Sequence, residues 1–228
     1  MRPEESSAPS VGHNTRMSKP SGSRSSASDP TLRVTAAQWG AWLADHHASA
    51  TGALVMISKQ GRGALALSYV EALDIALAWG WIDGQKRAHD ECAWLQRFSP
   101  RRPRSAWSKI NRNKAEALLR AGKMRPPGLK EVERAKQDGR WDAAYDSPRT
   151  SQVPDDLARA LAGNKAAATC FETLDGTNRY AILYRVQTAR KPETRAARIA
   201  RFVAMLAKRE TLHPPRQKRT VDRGRPAR

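Results

Sequence analysis

Apolar residues recur at helical spacing along most of the chain and run continuously only in short stretches. Trp39, Trp42, Leu43 and His46 fall at i, i+3, i+4 and i+7, which predicts a helix ending near His46. Thr35 and Gln38 form a capping box in front of it. His46 and His47 read as helix-end residues near the negative pole of the dipole rather than as ligands. The run Ala53-Leu54-Val55-Met56-Ile57-Ser58 predicts a buried strand, and Gln60-Gly61-Arg62-Gly63 a turn. That turn lacks the spacing and the Lys-Ser/Thr of a phosphate loop. A second capping box, Ser68 to Glu71, opens a helix carrying Ala72, Leu73, Ala76 and Leu77, which Gly80 ends. Residues 92–98 alternate and are rich in aromatics, predicting a second strand. A helix with Ile110, Ala115, Leu118 and Leu119 follows from Ser108 or Asn111 to Arg120, stopped by Gly122. Pro126 or Pro127 starts another, with Leu129, Val132 and Ala135 inward, ending at Gly139. Arg125 stands at its cap position, where it supplies no acceptor.

The rest of the pattern is helical throughout. Leu157, Ala160 and Leu161 follow Pro154, and Ala167, Ala168, Phe171 and Leu174 follow a cap at Asn164. Asp175-Gly176 breaks the chain, then Ile182, Leu183, Tyr184 and Val186 form a buried stripe. Pro192 starts a last helix with Ile199, Phe202, Val203 and Leu206 inward. The class is therefore α+β: a small sheet with packed helices in the N-terminal part, followed by an all-helical C-terminal bundle. The divisions are a tail at 1–31, an α+β domain at 32–146, a linker at 147–152, a helical region at 153–210 and a basic tail at 211–228. Both tails are rich in Ser, Pro, Gly or Arg and read as disordered, and Met17 competes with Met1 as the start.

Charge narrows the partners more than the fold. The 228 residues hold 41 basic and 22 acidic side chains, a formal charge of +19. Nucleic acid, another polyanion or an acidic protein are favourable partners for such a surface. Two cysteines, Cys92 and Cys170, make neither a disulfide framework nor a zinc site, so no metal and no cofactor is expected. No apolar run has the length of a transmembrane helix, and the N-terminus has no hydrophobic secretory core. A cytoplasmic protein is the expectation.

Residues 77–113, LAWGWIDGQKRAHDECAWLQRFSPRRPRSAWSKINRN, stand out. They contain four of the seven tryptophans, Trp79, Trp81, Trp94 and Trp107. Seven cations (Arg97, Arg101, Arg102, Arg104, Lys109, Arg112 and Lys114) occur between 97 and 114 without an acid. Such cations repel one another, so a bound anion or a distant set of acids must relieve them. Prolines 100 and 103 hold the intervening loop extended, with arginine forks displayed for phosphate or carboxylate. A second basic run, nine cations from Arg179 to Arg209 against Glu193, puts Arg195 and Arg198 on one helical side.

The motifs Gly80-Trp81-Ile82-Asp83-Gly84, Arg97-Phe98-Ser99-Pro100-Arg101 and Ser105-Ala106-Trp107-Ser108-Lys109-Ile110-Asn111 resemble the YdeI/OmpD-associated (OmdA) family, also labelled bacteriocin-protection proteins. The resemblance continues through residues 139–145 and 153–157 to Pro192-Glu193-Thr194-Arg195 and the following helix, in order from about Thr35 to Leu212. It implies a two-part α+β architecture and a role in tolerance of bacteriocins or antimicrobial peptides. It brings no defined reaction. Direct capture of a cationic peptide by a protein of charge +19 is electrostatically unfavourable, so that role would run through an acidic protein or lipid.

The expected function is thus a non-catalytic basic protein that binds an anionic partner through its arginine-rich loop. The anion-binding set is Arg97, Arg101, Arg102, Arg104, Lys109, Arg112, Arg195 and Arg198. Trp81, Asp83, Gly84 and Trp107 are assigned to the motif's own structure. Gly84 is expected at positive φ after Asp83, and the Trp107 ring is expected in the core with its N–H on a polar partner. Asp83 is a turn aspartate, an arginine-orienting carboxylate paired with one of Arg97 to Arg104, or a general acid or base. The last option belongs to the alternative function, an enzyme acting on a phosphorylated or carboxylated small molecule in an inter-domain cleft that holds Asp83 and His89. No nucleic-acid motif, nucleophile elbow or nucleotide loop is present to decide.

Overall fold

A computed structural model describes residues 29–59 and 67–214. The expected 60–63 turn and most of both expected tails lie outside the described residues. The protein is mixed α+β, with a four-stranded sheet and eight helices among those residues.

The strands are β1 (Thr31–Leu32), β2 (Ala53–Ser58), β3 (Trp81–Ala88) and β4 (Ala93–Pro100), in sheet order β1-β2-β4-β3. β1 runs parallel to β2, and the other pairs are antiparallel. Register places Ala53, Phe98 and Asp83 abreast, on the face covered by helices. Two strands differ from the sequence expectation. β1 starts at Thr31, inside the expected tail, and Asp29 just before it pairs with Arg97 of β4. β3 occupies the segment expected to turn at Gly84. Positive φ occurs instead at Gly80, Gly122 and Gly139, while Gly84 lies in the strand beside a register shift between Asp83 and Lys86. Gln96, buried on β4, donates its amide to the Gly84 carbonyl there (3.0 Å). Polar side chains hid this strand, because an exposed edge needs no apolar alternation.

Four helices pack with the sheet: α1 (Ala36–His46), α2 (Tyr69–Ala78), α3 (Lys109–Arg120) and α4 (Pro126–Gln137). Both expected capping boxes are closed, Thr35 with Gln38 and Ser68 with Glu71. Ser108 caps α3 by accepting from the Asn111 N–H, and α4 has no side-chain cap. The core gathers Trp39, Leu43, Val55, Ile57, Leu77, Trp81, Phe98 and Trp107. Trp39 and Trp81 meet edge to face, and each indole N–H donates to a carbonyl, of Ala72 and His47 respectively. Leu129, read as inward, is 37 % exposed, and Ile110 of α3 is 51 % exposed.

The remaining helices are α5 (Asp155–Ala162), α6 (Lys165–Glu172), α7 (Gly176–Gln187) and α8 (Pro192–Ala207). They share a separate core built on Leu157, Phe171, Ile182, Val186, Phe202 and Leu206. Asn178, buried in α7, exchanges two hydrogen bonds with the His213 backbone, so order persists past the expected tail boundary at 211. The two cores meet through a narrow polar junction. Tyr180 donates to the Asp146 carbonyl (2.9 Å), Gln187 brackets Asp146, and the Tyr145 and Tyr184 rings meet edge to face. No helix among the described residues is long and apolar enough to cross a membrane.

Candidate functional site

A cavity of about 360 Å³ opens between the start of α2, the start of β3 and the first turn of α3. Its position follows from local sequence. The Ser68 cap starts α2 at Tyr69, whose hydroxyl donates to Asp83 Oδ2 (2.8 Å). The Ser108 cap starts α3, and a parallel bridge between Ser108 and Tyr145 fixes the Tyr145 ring beside that first turn. In that bridge the Lys109 N–H donates to the Tyr145 carbonyl (2.8 Å) and the Tyr145 N–H to that of Trp107 (2.9 Å). Leu73 and Ile82 give the cavity an apolar wall, with Ile110 beside them.

Three polar groups on this cavity have no partner among the described residues: the Asn111 side-chain amide, the Tyr145 hydroxyl and Asp83 Oδ1. Asn111 is only 9 % exposed. Its backbone N–H is spent on Ser108 and that of Lys109 on Tyr145, which leaves the Ile110 N–H as the free donor of this turn. Lys114, one turn further on, also faces the cavity, with its ammonium 2.6 Å from Asp74 Oδ1.

The local field has a buried source. Arg101 is 5 % exposed, lies with its guanidinium 3.6 Å over the Trp107 ring, and donates to the carbonyl of Ala106 on the cavity wall. Burial pushes it down to about 10, against the pull of Tyr145, Glu131 and Asp83, so it is charged at neutral pH. Burial and the adjacent Asp83 carboxylate push the Tyr69 phenol well up. Burial, then Tyr184, raises Tyr145, with Arg101 acting the other way. Both phenols are therefore neutral donors at physiological pH.

The arginine set is dispersed rather than gathered. Arg97 forks onto Asp29. Lys109 pairs with Asp146 (2.8 Å), and Arg112 stands 3.8 Å from Glu116. Acids distant in sequence, Asp29, Asp74 and Asp146, thus relieve much of the repulsion along residues 97–114. Arg102 and Arg104 remain exposed on the loop, with no acidic partner among the described residues. Arg195 forks onto Asp156 (2.6 and 2.9 Å), and Arg198 donates to the Arg185 carbonyl. Asp83 makes its hydrogen bond with Tyr69 and not with an arginine, which corrects the expected pairing. The Trp107 N–H is buried without a partner among the described residues, contrary to expectation, and the ring is held instead by Arg101 and Trp141. His89 lies outside the cavity, beside Asp90.

The Arg195 pair sets a pH dependence. The Arg195 guanidinium holds Asp156 below the usual carboxylate range. A depressed carboxylate stabilises the fold above its unfolded value of about 4, and that contribution disappears as pH falls through the folded value. Asp156→Asn is expected to lower the urea midpoint of the α5–α8 core at pH 7 and to make little difference at pH 2.5. An equal loss at both values would remove the pair from the account.

Sequence reasoning singled out Asp83 but not Tyr69 or Asn111. The signal was present: Tyr69 follows a capping serine directly, and Asn111 stands three residues after one. Their convergence depends on the β3 pairing.

Residues 150–209 match the family model described as Bacteriocin-protection, YdeI or OmpD-Associated (OmdA). Residues 32–131 match a domain of unknown function, DUF8412. No curated protein and no solved structure matches the chain. The OmdA match covers helices α5–α8, whereas Tyr69, Asp83 and Asn111 fall within the second match.

Proposed function

We propose that this chain is a non-catalytic binding protein of the bacteriocin-protection type, whose working site is the Asp83 cavity and whose ligand is a small polar molecule. The carrying observation is the convergence of Asn111, Tyr145 and Asp83 Oδ1 on one cavity without partners among the described residues. None of the three is among the fully buried unpaired atoms, so each is open to solvent and to a ligand that enters the cavity. The volume of about 360 Å³ suits a metabolite rather than a polymer. The OmdA match over α5–α8 supports the protective role.

The test is thermal unfolding of the full chain against a panel of amino acids, polyols, nucleosides, phosphate and short carboxylates. A ligand at a hundred times its Kd adds about 2.7 kcal/mol, which raises the Tm of the sheet-containing unit by roughly 8–14 °C. Asp83→Asn and Asn111→Ala are each expected to reduce that shift sharply. No shift with any compound, or a shift that survives both substitutions, overturns the reading.

Arg102 and Arg104 favour a second reading, docking of an anionic partner, with nucleic acid or an acidic protein as the occupant. Oligonucleotide titration followed by tryptophan fluorescence tests it, with a slope of affinity on salt that flattens in Arg102→Ala/Arg104→Ala. A slope unchanged by that double substitution assigns the binding to the rest of the basic surface.

A further inference from the structure

The class of ligand follows from the charges around the cavity, given that the cavity is a binding site. We propose that it takes a zwitterionic amino acid with an aliphatic side chain.

One side of the cavity favours an anion. The first turn of α3 supplies the free Ile110 N–H and the positive pole of a twelve-residue helix. The side-chain amide of Asn111, a residue nine-tenths buried, has no partner among the described residues and adds a donor at the same turn. Lys114 adds an ammonium group that Asp74 only partly occupies, since one carboxylate bond leaves it two further protons to donate. The buried Arg101 charge, joined to the wall through the Ala106 carbonyl, biases the field the same way. A carboxylate fits these groups.

Asp83 opposes a ligand that is only an anion. Its Oδ2 is held by Tyr69, and its Oδ1 has no partner among the described residues. Doubly charged phosphate would face that carboxylate with no charge to offer it. A simple amine would satisfy Asp83 and then meet the cationic side of the cavity. A molecule bearing both an ammonium and a carboxylate group satisfies both sides. Leu73, Ile82 and the half-exposed Ile110 form the apolar wall for its side chain.

The experiment compares three molecules by isothermal titration on the full chain: L-leucine, its deaminated form 4-methylpentanoate and its decarboxylated form isoamylamine. Leucine is expected to bind roughly tenfold or more tightly than either half, because each half leaves charged groups of the cavity unanswered. In Asp83→Asn the advantage of leucine over 4-methylpentanoate should disappear, while near-ultraviolet dichroism reports that the fold is kept. In Asn111→Ala the advantage of leucine over isoamylamine should shrink. Equal binding of all three, or a leucine advantage that persists in Asp83→Asn, overturns the zwitterion assignment. If leucine fails while phosphate or a polyol binds and is lost in Asp83→Asn, the ligand class is wrong and the cavity is still the working site. If nothing binds, both readings fall.

Discussion

Gly128→Ala is expected to be among the most destabilising single-methyl additions in this chain. Gly128 lies in the first turn of α4 where it crosses the end of α2. A Cβ there would overlap the Ala78 carbonyl oxygen and stand 2.8 Å from its carbon and 3.0 Å from the Leu77 oxygen. These are backbone atoms, so no rotamer change relieves the clash. The same Ala78 carbonyl accepts from the Arg125 N–H (3.0 Å), so moving the helices apart also breaks the hydrogen bond that leads into α4. Overpacking of a close contact costs typically 1–3 kcal/mol, and this one belongs at or above the upper end, about 3 kcal/mol. For the sheet-containing unit, about half of the chain, that lowers Tm by roughly 9–15 °C. Differential scanning fluorimetry reads it directly. Gly139→Ala is the control: its Cβ meets nothing within 4 Å, and only its φ of +72° resists the change. A Gly128→Ala loss no larger than the control's would mean that the α2–α4 crossing is looser than described.

Trp39→Ala should cost about 3–5 kcal/mol, the range for truncating a fully buried tryptophan. Trp39 has no exposure, and three rings surround it: Trp42 at 5.4 Å, Phe98 at 5.6 Å and Trp81 at 6.2 Å between centroids. Truncation also leaves the Ala72 carbonyl without the indole N–H that it accepts (3.1 Å). Trp39→Phe separates the two contributions, because it keeps most of the packing and loses the hydrogen bond. Chemical denaturation should rank wild type above Trp39→Phe and Trp39→Phe above Trp39→Ala. A Trp39→Ala midpoint within a few tenths of a molar of wild type would contradict the described core.

Helices were legible because each carries its own signal. The Thr35 and Ser68 boxes, the Ser108 and Asn164 caps and the stops at Gly80, Gly122 and Gly139 need only neighbouring residues to act. β2 was legible because both its faces are covered. β1 and β3 were not. Two residues make no pattern, and the polar half of β3 shows why it is a strand only through its partner β4. The site divides the same way. Asp83 stood out as the acid inside a motif. Asn111 and Tyr145 became part of a cavity only through the Ser108–Tyr145 bridge, which spans residues far apart in sequence. The partners of the cations were hidden for a related reason. Asp29, Asp146 and Asp74, which pair with Arg97, Lys109 and Lys114, arrive from other elements.

The polar junction between the two cores has a thermodynamic consequence. The tightest element packing lies within the sheet with α1–α4 or within α5–α8, while tyrosine edges and hydrogen bonds around Asp146 connect them. Such a contact should transmit little cooperativity, and melting is expected to depart from a single two-state event. Calorimetry should give a van 't Hoff enthalpy well below the calorimetric one, resolved as two endotherms. A cavity ligand should move only the endotherm of the sheet-containing unit, and Asp156→Asn only the other.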